Sequence, residues 1–224
     1  MTITRRPRAQ SQAETRRRLV VAAEALFEEQ GFHGASVAQI AARAGFSTGA
    51  IYANFPRKED LAVAVLEQSQ RESFGELLDA LAAAEDFGDR LVAVIAWRRR
   101  LLDARKAITV LRLDLWLLSR RDEALRSQLM AGRRRLGSRF AALVAQQAAD
   151  AGSTLTVPAD RLAAALLNAA DGSSASQGLG APGLEAEAFA WTLARLMIGA
   201  MDPPPLSGEA LDALVARMIA AATD

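Results

Sequence analysis

Cysteine is absent from the 224 residues, and histidine occurs once, as His33. Without cysteine there is no disulfide framework, no thiolate nucleophile and no metal site built on sulfur. A single histidine argues against a multi-histidine metal centre and against a serine–histidine triad. No nucleophile–base pair and no glycine-rich phosphate loop stand out either, so the sequence predicts neither an enzyme nor a bound cofactor.

Long apolar runs are missing as well, and β-branched and aromatic residues are few. No run approaches the roughly 20 residues that span a bilayer. No apolar stretch follows the amino-terminal arginines as it would in a signal peptide. We therefore expect a soluble, cytoplasmic protein with no membrane partner. Alanine dominates the apolar residues and helix formers fill nearly every window, which predicts an all-α fold.

Charge is distributed unevenly, although the net charge is only +1. Residues 1–58 hold nine basic and four acidic side chains, or +5, whereas residues 160–224 hold three basic and eight acidic ones, or −5. A basic amino-terminal part suits a polyanion such as nucleic acid. A solvated surface with chance asymmetry would give the same count, so charge alone leaves both interpretations open.

Helix-breaking residues, mainly glycine and proline, divide the chain into segments. Residues 1–12 are polar, hold Pro7 and lack periodicity, which predicts a flexible basic arm. From Ala13 to Gln30 apolar residues recur at helical spacing, and Gly31 ends the pattern. Two short helices follow, and then longer ones are predicted from about residue 57 into the 80s and near 88–105, 107–119, 122–151, 159–178, 184–200 and 208–222. The chain thus consists of a helical head and a larger helical body.

The stretch SVAQIAARAGFSTGAIYANF, from Ser36 to Phe55, reads as two short helices that meet at Gly45. Ser36 and Ser47 stand where the N-caps belong. One small core is predicted from Leu26, Phe27, Val37, Ile40, Ala41, Ile51, Phe55 and Leu61. The side chains left facing outward are Ser47, Thr48, Gly49, Ala50, Tyr52, Ala53 and Asn54. Such a slim face can enter a major groove about 12 Å wide, which predicts a helix-turn-helix; a surface helix of an ordinary bundle is the alternative.

The segment GFHGASVAQIAARAGFSTGAIYANFPRKEDL, from Gly31 to Leu61, resembles the DNA-binding domain of TetR-family transcriptional regulators. The matching positions are Gly31, Phe32, Ile40, Ala41, Ala44, Gly45, Ser47, Gly49, Tyr52, Phe55, Lys58 and Leu61. With the first helix, the resemblance covers about 50 residues. It implies a DNA-binding domain over residues 13–58, followed by a ligand-binding and dimerisation domain over 59–224.

The resemblance also implies a mechanism. Family members are homodimers that insert the third helix of each head into a major groove and dimerise through the last two main helices of the body. An unknown small-molecule effector binds the body and releases a palindromic operator, so a ligand-responsive repressor is expected. An activator, or a ligand-independent DNA-binding protein of the same fold, is the alternative.

Eight residues are predicted at the DNA interface: Ser36, Arg43, Ser47, Thr48, Ala50, Tyr52, Asn54 and Lys58. Tyr52 and Lys58 match the family's phosphate contacts, and Asn54 replaces a common histidine but can still donate to phosphate. Thr48 and Ala50 are candidates for base contacts. The serines could be plain caps, and Arg43 a solvated side chain. Because the third helix lacks Arg, Lys and Gln, part of the specificity is expected from indirect readout and from Arg5, Arg6 and Arg8 in a narrow minor groove.

Seven residues of the body are candidates for a ligand cavity: Trp97, Leu101, Asp114, Trp116, Met130, Phe140 and Asn168. The segment from Ile108 to Ser119 is apolar nearly all round and is expected to be buried. Asp114 lies inside it and would need an arginine or a cationic ligand as its partner. Ordinary core packing is the alternative for each tryptophan and methionine, and only the family resemblance favours a pocket.

The later helices carry two further patterns. Asn168 and Asp171 share a helix face and could line either the pocket or a dimer interface. Small residues at 172–176 permit close helix approach, and a matching apolar stripe is formed by Ala190, Leu193, Ala194, Met197 and Ile198; together they predict a dimer seam. Residues 98–139 are rich in arginine, which is typical of a solvated helix face or, as the weaker alternative, of a site for an anionic ligand.

Overall fold

The computed structural model describes residues 8–178 and 184–223, and over these ranges the chain is all-α, as predicted. The helices are α1 (Arg8–Gly34), α2 (Val37–Ala44), α3 (Thr48–Asn54), α4 (Lys58–Ala82), α5 (Phe87–Ala104), α6 (Lys106–Ser119), α7 (Glu123–Asp150), α8 (Ala159–Gly178), α9 (Leu184–Gly199) and α10 (Gly208–Thr223). Two strands that the sequence does not predict, β1 (Thr154–Leu155) and β2 (Met201–Asp202), pair antiparallel with Leu155 opposite Met201.

The first helix begins earlier than the sequence predicts. It starts at Arg8, not at Ala13, because residues 8–12 contain arginine, alanine and glutamine, which favour helix. The remainder of the predicted arm, with Arg5 and Arg6, lies outside the described residues. Gly31 interrupts the helical geometry with φ 71° and ψ 170°, so the break predicted there is present inside α1.

By packing, the chain divides into two compact units. The head unit comprises the chain up to Gln70 together with Val110–Leu129, and the body unit comprises Arg71–Thr109 and Met130–Asp224. The predicted boundary after residue 58 separates a DNA-binding domain from a ligand-binding domain, and this functional division stays a prediction. Among the described residues, no helix combines the length and the apolarity that a membrane crossing requires.

In the head unit, α1 packs on α2 and α2 packs on α3. Seven of the eight predicted core residues are at most 3% exposed: Leu26, Phe27, Ile40, Ala41, Ile51, Phe55 and Leu61. Val37 is only half-buried. The predicted core therefore exists, and it fixes which face of α3 points outward.

The part of α6 that belongs to the head unit, from Val110 onward, is not buried all round, contrary to the expectation from its composition. Leu111 and Leu115 are buried, but Val110 is 44% exposed and Leu117 is 66% exposed. Asp114 is half-buried. Since the helix has apolar residues on every face, its composition cannot indicate which face the fold covers.

In the body unit, α9 packs against α8 and α10, and α10 packs against α5. The stripe that was expected to form a dimer seam lies in this core: Ala190, Leu193, Ala194, Met197 and Ile198 are all at most 6% exposed. That part of the seam prediction is therefore wrong. An apolar stripe shows that a helix face is covered, but the covering surface can belong to the same chain. On α9, Trp191 and Leu196 remain exposed.

Candidate nucleic-acid interface

Serine caps start both helices of the helix-turn-helix. Ser36 Oγ accepts from the Gln39 backbone N–H at 3.2 Å while Gln39 Oε1 accepts from the Ser36 N–H at 2.8 Å, which forms a capping box. Ser47 Oγ accepts from the Ala50 N–H at 3.3 Å. Gly45 ends α2 in the left-handed region with φ 73°. Both predicted caps are present, and the helix N-termini they define are suited to anions.

The outward face of α3 is slim, as predicted. Ile51 is fully buried and anchors the helix. On the other side Thr48 is exposed, Ala50 is half-buried, and Tyr52 is 56% exposed. The helix therefore presents a phenol, a hydroxyl and small side chains to solvent.

Two arginines of α1 hold the carboxyl ends of α2 and α3. Arg18 Nη2 donates to Ala44 O at 2.8 Å, and its guanidinium lies 4.7 Å from the Phe46 ring centroid. Arg16 Nη1 donates to Asn54 O at 2.9 Å, and its guanidinium lies 4.0 Å from the Phe55 ring centroid. A cation at a helix carboxyl end is favoured by the helix dipole. Sequence reasoning counted these arginines only as basic charge; what they hold depends on the tertiary fold.

Replacing Arg18 with methionine should loosen the helix-turn-helix without emptying its core. The change removes one charged hydrogen bond and one cation–π contact; because Arg18 is largely exposed, we expect a loss of about 1 kcal/mol. That corresponds to a fall in Tm of roughly 2–4 °C. Arg17→Met is the matched control, because Arg17 pairs only with Glu14 in the described structure and on an exposed surface. Equal Tm values for the two variants would contradict the stabilising role of Arg18 in the helix-turn-helix.

Arg43, a candidate for base or phosphate contact, is engaged by an acid. Its Nη1 and Nη2 donate to the two carboxylate oxygens of Glu29 at 2.7 and 2.8 Å. The hydrogen bonds from Arg43 lower the pKa of Glu29 although partial burial opposes them. The pair is exposed, so it contributes little stability. If Arg43 contacts DNA, a phosphate would therefore replace the Glu29 carboxylate as the partner of its guanidinium.

The remaining phosphate candidates are partly held by the protein. Asn54 Nδ2 donates to Ala50 O at 2.8 Å, which leaves its second amide hydrogen for a ligand. Lys58 Nζ lies 4.5 Å from the Phe32 ring centroid, and burial lowers the pKa of its ammonium group. Both side chains are half-buried. The fold thus restricts the directions in which they can reach a phosphate.

A charged network ties the start of α4 to the start of α7 within the head unit. Arg57 pairs with Asp60 at 3.2 Å and with Asp122. Gln128 Nε2 donates to Asp60 Oδ1 at 3.0 Å, and Asp122 Oδ1 accepts from the Leu125 N–H at 2.9 Å. Although burial raises the pKa of Asp60, hydrogen bonds from Arg57 and Gln128 bring it below its ordinary value. The Leu125 N–H and Arg57 lower the pKa of Asp122.

This network predicts a loss of stability in acid. Because the folded-state pKa values of Asp60 and Asp122 lie below their unfolded values, their stabilisation is present above about pH 4 and is lost as pH falls through the folded pKa. Thermal unfolding between about pH 7 and pH 3 measures it. Asp122→Asn should flatten the acid limb of the Tm curve. Glu123→Gln, at a side chain that is 83% exposed, should leave the curve as in the wild type; an unchanged curve for Asp122→Asn would refute the prediction.

The seven ligand candidates divide between the units. Asp114 and Trp116 belong to the head unit, and the Trp116 ring lies 5.7 Å from the Arg112 guanidinium. The others belong to the body unit, where Phe140 contacts Phe74 edge-on at 5.5 Å and Met130 is 41% exposed. The buried indole N–H of Trp97 has no acceptor among the described residues, and Leu101 is half-buried. A pocket shared by all seven stays a prediction.

Asn168 and Asp171 have a partner inside the chain. Arg133 of α7 pairs with Asp171, and its Nη2 donates to Asn168 Oδ1 at 2.8 Å. Both side chains therefore contact α7 through Arg133, and whether they also line a ligand pocket or a dimer interface stays a prediction. None of the seven candidates lines the cleft that the body unit forms between α5, α8, α9 and α10, where Arg98, Arg99 and Ser173 contribute polar groups instead.

The amino-terminal sequence has known counterparts. Residues 19–65 match the profile of bacterial regulatory proteins of the TetR family. The chain is 34% identical to the HTH-type transcriptional activator FasR of Mycolicibacterium smegmatis over 82 residues, and this match covers 37% of each chain. It is 36% identical to ArpR of Pseudomonas putida, a probable HTH-type transcriptional regulator, over 100 residues, and this match covers 45% of each chain. The matches thus span less than half the length of these curated relatives.

The fold has a counterpart over most of the chain. A protein of Rhodococcus sp. RHA1, described as a candidate transcriptional regulator, superposes with a TM-score of 0.69 and 26% identity. The match covers 82% of this chain and 95% of that protein. These relatives and this structural neighbour are all named as transcriptional regulators, and none of them is named as an enzyme.

Proposed function

In its amino-terminal domain the chain belongs to the TetR family of bacterial regulatory proteins, and we propose that it is a ligand-responsive repressor that binds a palindromic DNA operator as a homodimer. The observation that carries this proposal is the α2–α3 pair. Two serine-capped helices rest on a buried core, and Thr48 and Tyr52 lie exposed on a slim face. A helix with this face fits a major groove.

The contacts follow from the placement of each side chain. Tyr52, Lys58 and the free amide hydrogen of Asn54 donate to phosphates, and the N-termini capped by Ser36 and Ser47 add backbone N–H groups. Thr48 and Ala50 approach base edges. Because few side chains of α3 can make bidentate base contacts, DNA shape contributes to the choice of operator.

Dimerisation is assigned to the outer faces of α8 and α9. Trp191 is 52% exposed and Leu196 is 36% exposed on α9, and the small residues Ala164 and Ala165 are exposed on α8. Tryptophan is enriched at the centres of protein interfaces, and small side chains let a second helix approach closely. Two linked heads then read the two halves of a palindrome.

The experiment that tests the proposal is a titration of the purified protein against DNA from its own upstream region, at fixed salt, with a scrambled competitor. Tight binding to a palindromic site, with an affinity that falls steeply as salt rises, is the expected result. Equal and weak binding to the operator fragment and to the scrambled DNA would contradict a sequence-specific regulator.

Activation is a second candidate, because the relative FasR, matched over 82 residues, is named a transcriptional activator. The same head can serve either sign of regulation, since the sign depends on where the operator lies relative to the promoter. Transcription in vitro from the identified site, with and without the protein, distinguishes the two. A fall in transcript supports repression, and a rise supports activation.

A further inference from the structure

We propose that the cleft between α5, α8, α9 and α10 binds a small amphiphilic anion, that is, an acid head group carried on a short apolar chain. The inference names the effector class for the regulator proposed above, and it rests on that proposed function. The cleft spans about 340 Å³ of space that includes open solvent, and it lies entirely within the body unit.

Two buried donors in the wall of this cleft have no acceptor among the described residues. They are the Nε–H of Arg99 on α5 and the hydroxyl of Ser173 on α8. Buried polar groups are almost always hydrogen-bonded in folded proteins. An arginine Nε–H can only donate, so the group that satisfies it must carry an acceptor. A carboxylate or phosphate oxygen between α5 and α8 would accept from both.

The charge of the wall favours a negative head group. Arg98 and Arg99 both line the cleft, and Asp103 is the acid that lines it. The Arg98 side chain is held in place, because its Nη2 donates to Ala170 O at 2.9 Å and to Ser174 Oγ at 3.2 Å. Arg98 is 8% exposed, and a fixed positive charge at such a depth acts strongly on an anion.

The remaining wall of the cleft is apolar, which favours a ligand with an apolar chain. Ile95, Leu102, Phe189 and Ala222 line it. The Phe189 ring centroid lies 4.3 Å from the Arg98 guanidinium, so the charged and apolar parts of the wall adjoin. A ligand with an acid at one end and a short hydrocarbon at the other matches both.

The test is calorimetric titration of the full-length protein with sodium octanoate, with 1-octanol as the neutral analogue and octyl phosphate as a second anion. Octanoate or octyl phosphate should bind at least about tenfold more tightly than octanol. The tighter of the two anions identifies the head group as a carboxylate or a phosphate.

Two variants test the donors. Arg99→Met and Ser173→Ala should each weaken binding of the tighter anion about tenfold. Arg100→Met is the matched control, because Arg100 is the exposed neighbour and should bind as the wild type does. Equal binding of octanol, wild-type affinity in both donor variants, or no binding of either anion at millimolar concentration would overturn the inference.

Operator binding is measured on the same preparation without added anion. If the operator is bound and neither anion is, the ligand assignment fails while the regulator stands. If an anion is bound and no operator is, the proposed DNA-binding function fails while the site stands.

Discussion

Replacing Trp191 with aspartate is expected to convert the protein from a dimer to a monomer and to weaken operator binding by about 10²–10⁴-fold. Trp191 is 52% exposed, and its ring lies 5.8 Å from the Arg195 guanidinium on the same helix. A tryptophan at an interface centre carries much of the binding free energy. An aspartate there would remove the aromatic contact area and would place a charge where the two subunits meet, which costs desolvation even with Arg195 nearby.

The loss of operator affinity follows from linkage between the two heads. In a dimer, binding of one head to its half-site raises the effective concentration of the other head. A monomer binds each half-site independently, with only its own contacts. Sedimentation velocity measures the oligomeric state, and a titration of the palindromic operator measures the affinity.

Leu117→Asp is the matched control for this prediction. Leu117 on α6 is 66% exposed, more than Trp191, and the substitution introduces the same charge on an exposed apolar residue. We expect the control variant to remain a dimer. A dimeric Trp191→Asp variant with normal operator affinity would remove α9 from the interface, and a monomeric Leu117→Asp variant would transfer the interface to α6.

Much of the fold could be predicted because the residues that mark helix ends agree with the apolar spacing that predicts the core. Ser36, Gly45 and Ser47 mark the ends of two helices by capping and by backbone conformation, which depend on neighbouring residues alone. The apolar spacing around them then predicted a core that the structure contains, with Ile51 and Phe55 buried. The first helix was misjudged at its start, since Pro7 and polar composition suggested an arm where the chain is helical from Arg8.

The site could be predicted less completely, because side-chain pairing over long separations leaves no local pattern. Arg18 reaches Ala44, which is 26 residues away, and Arg133 reaches Asn168, which is 35 residues away. In the sequence these arginines are indistinguishable from solvated ones. Arg43, a candidate for DNA contact, pairs with Glu29 in the structure, and its contact with DNA stays a prediction.

Periodicity also fails to identify the partner that covers a helix. The α9 residues Ala190 and Ala194 were assigned to a dimer seam and lie in the core of their own unit. Leu117 was expected to be buried and is exposed. In both cases the pattern indicates a helix with an apolar face, whereas the covering surface depends on how helices distant in sequence come together.

Tyr52 and Phe55 lie three residues apart, and alanine substitutions at these two positions should have different effects: one on operator affinity and the other on stability. Tyr52→Ala should keep Tm close to the wild-type value, because the side chain is 56% exposed. Its operator affinity should fall about tenfold or more, since we propose that the phenol donates to a phosphate. Tyr52→Phe removes only the hydroxyl and should reproduce most of that loss.

Phe55→Ala should instead lower the free energy of unfolding by about 3–5 kcal/mol, because the side chain is 1% exposed in the head core. The substitution also removes the ring against which the Arg16 guanidinium packs at 4.0 Å, so the carboxyl end of α3 loses one of the two contacts that Arg16 makes there. Thermal unfolding followed by circular dichroism, beside an operator titration, measures both effects. If Tyr52→Ala lowered Tm as much as Phe55→Ala does, the phenol would belong to the core and could not be the residue through which α3 meets DNA.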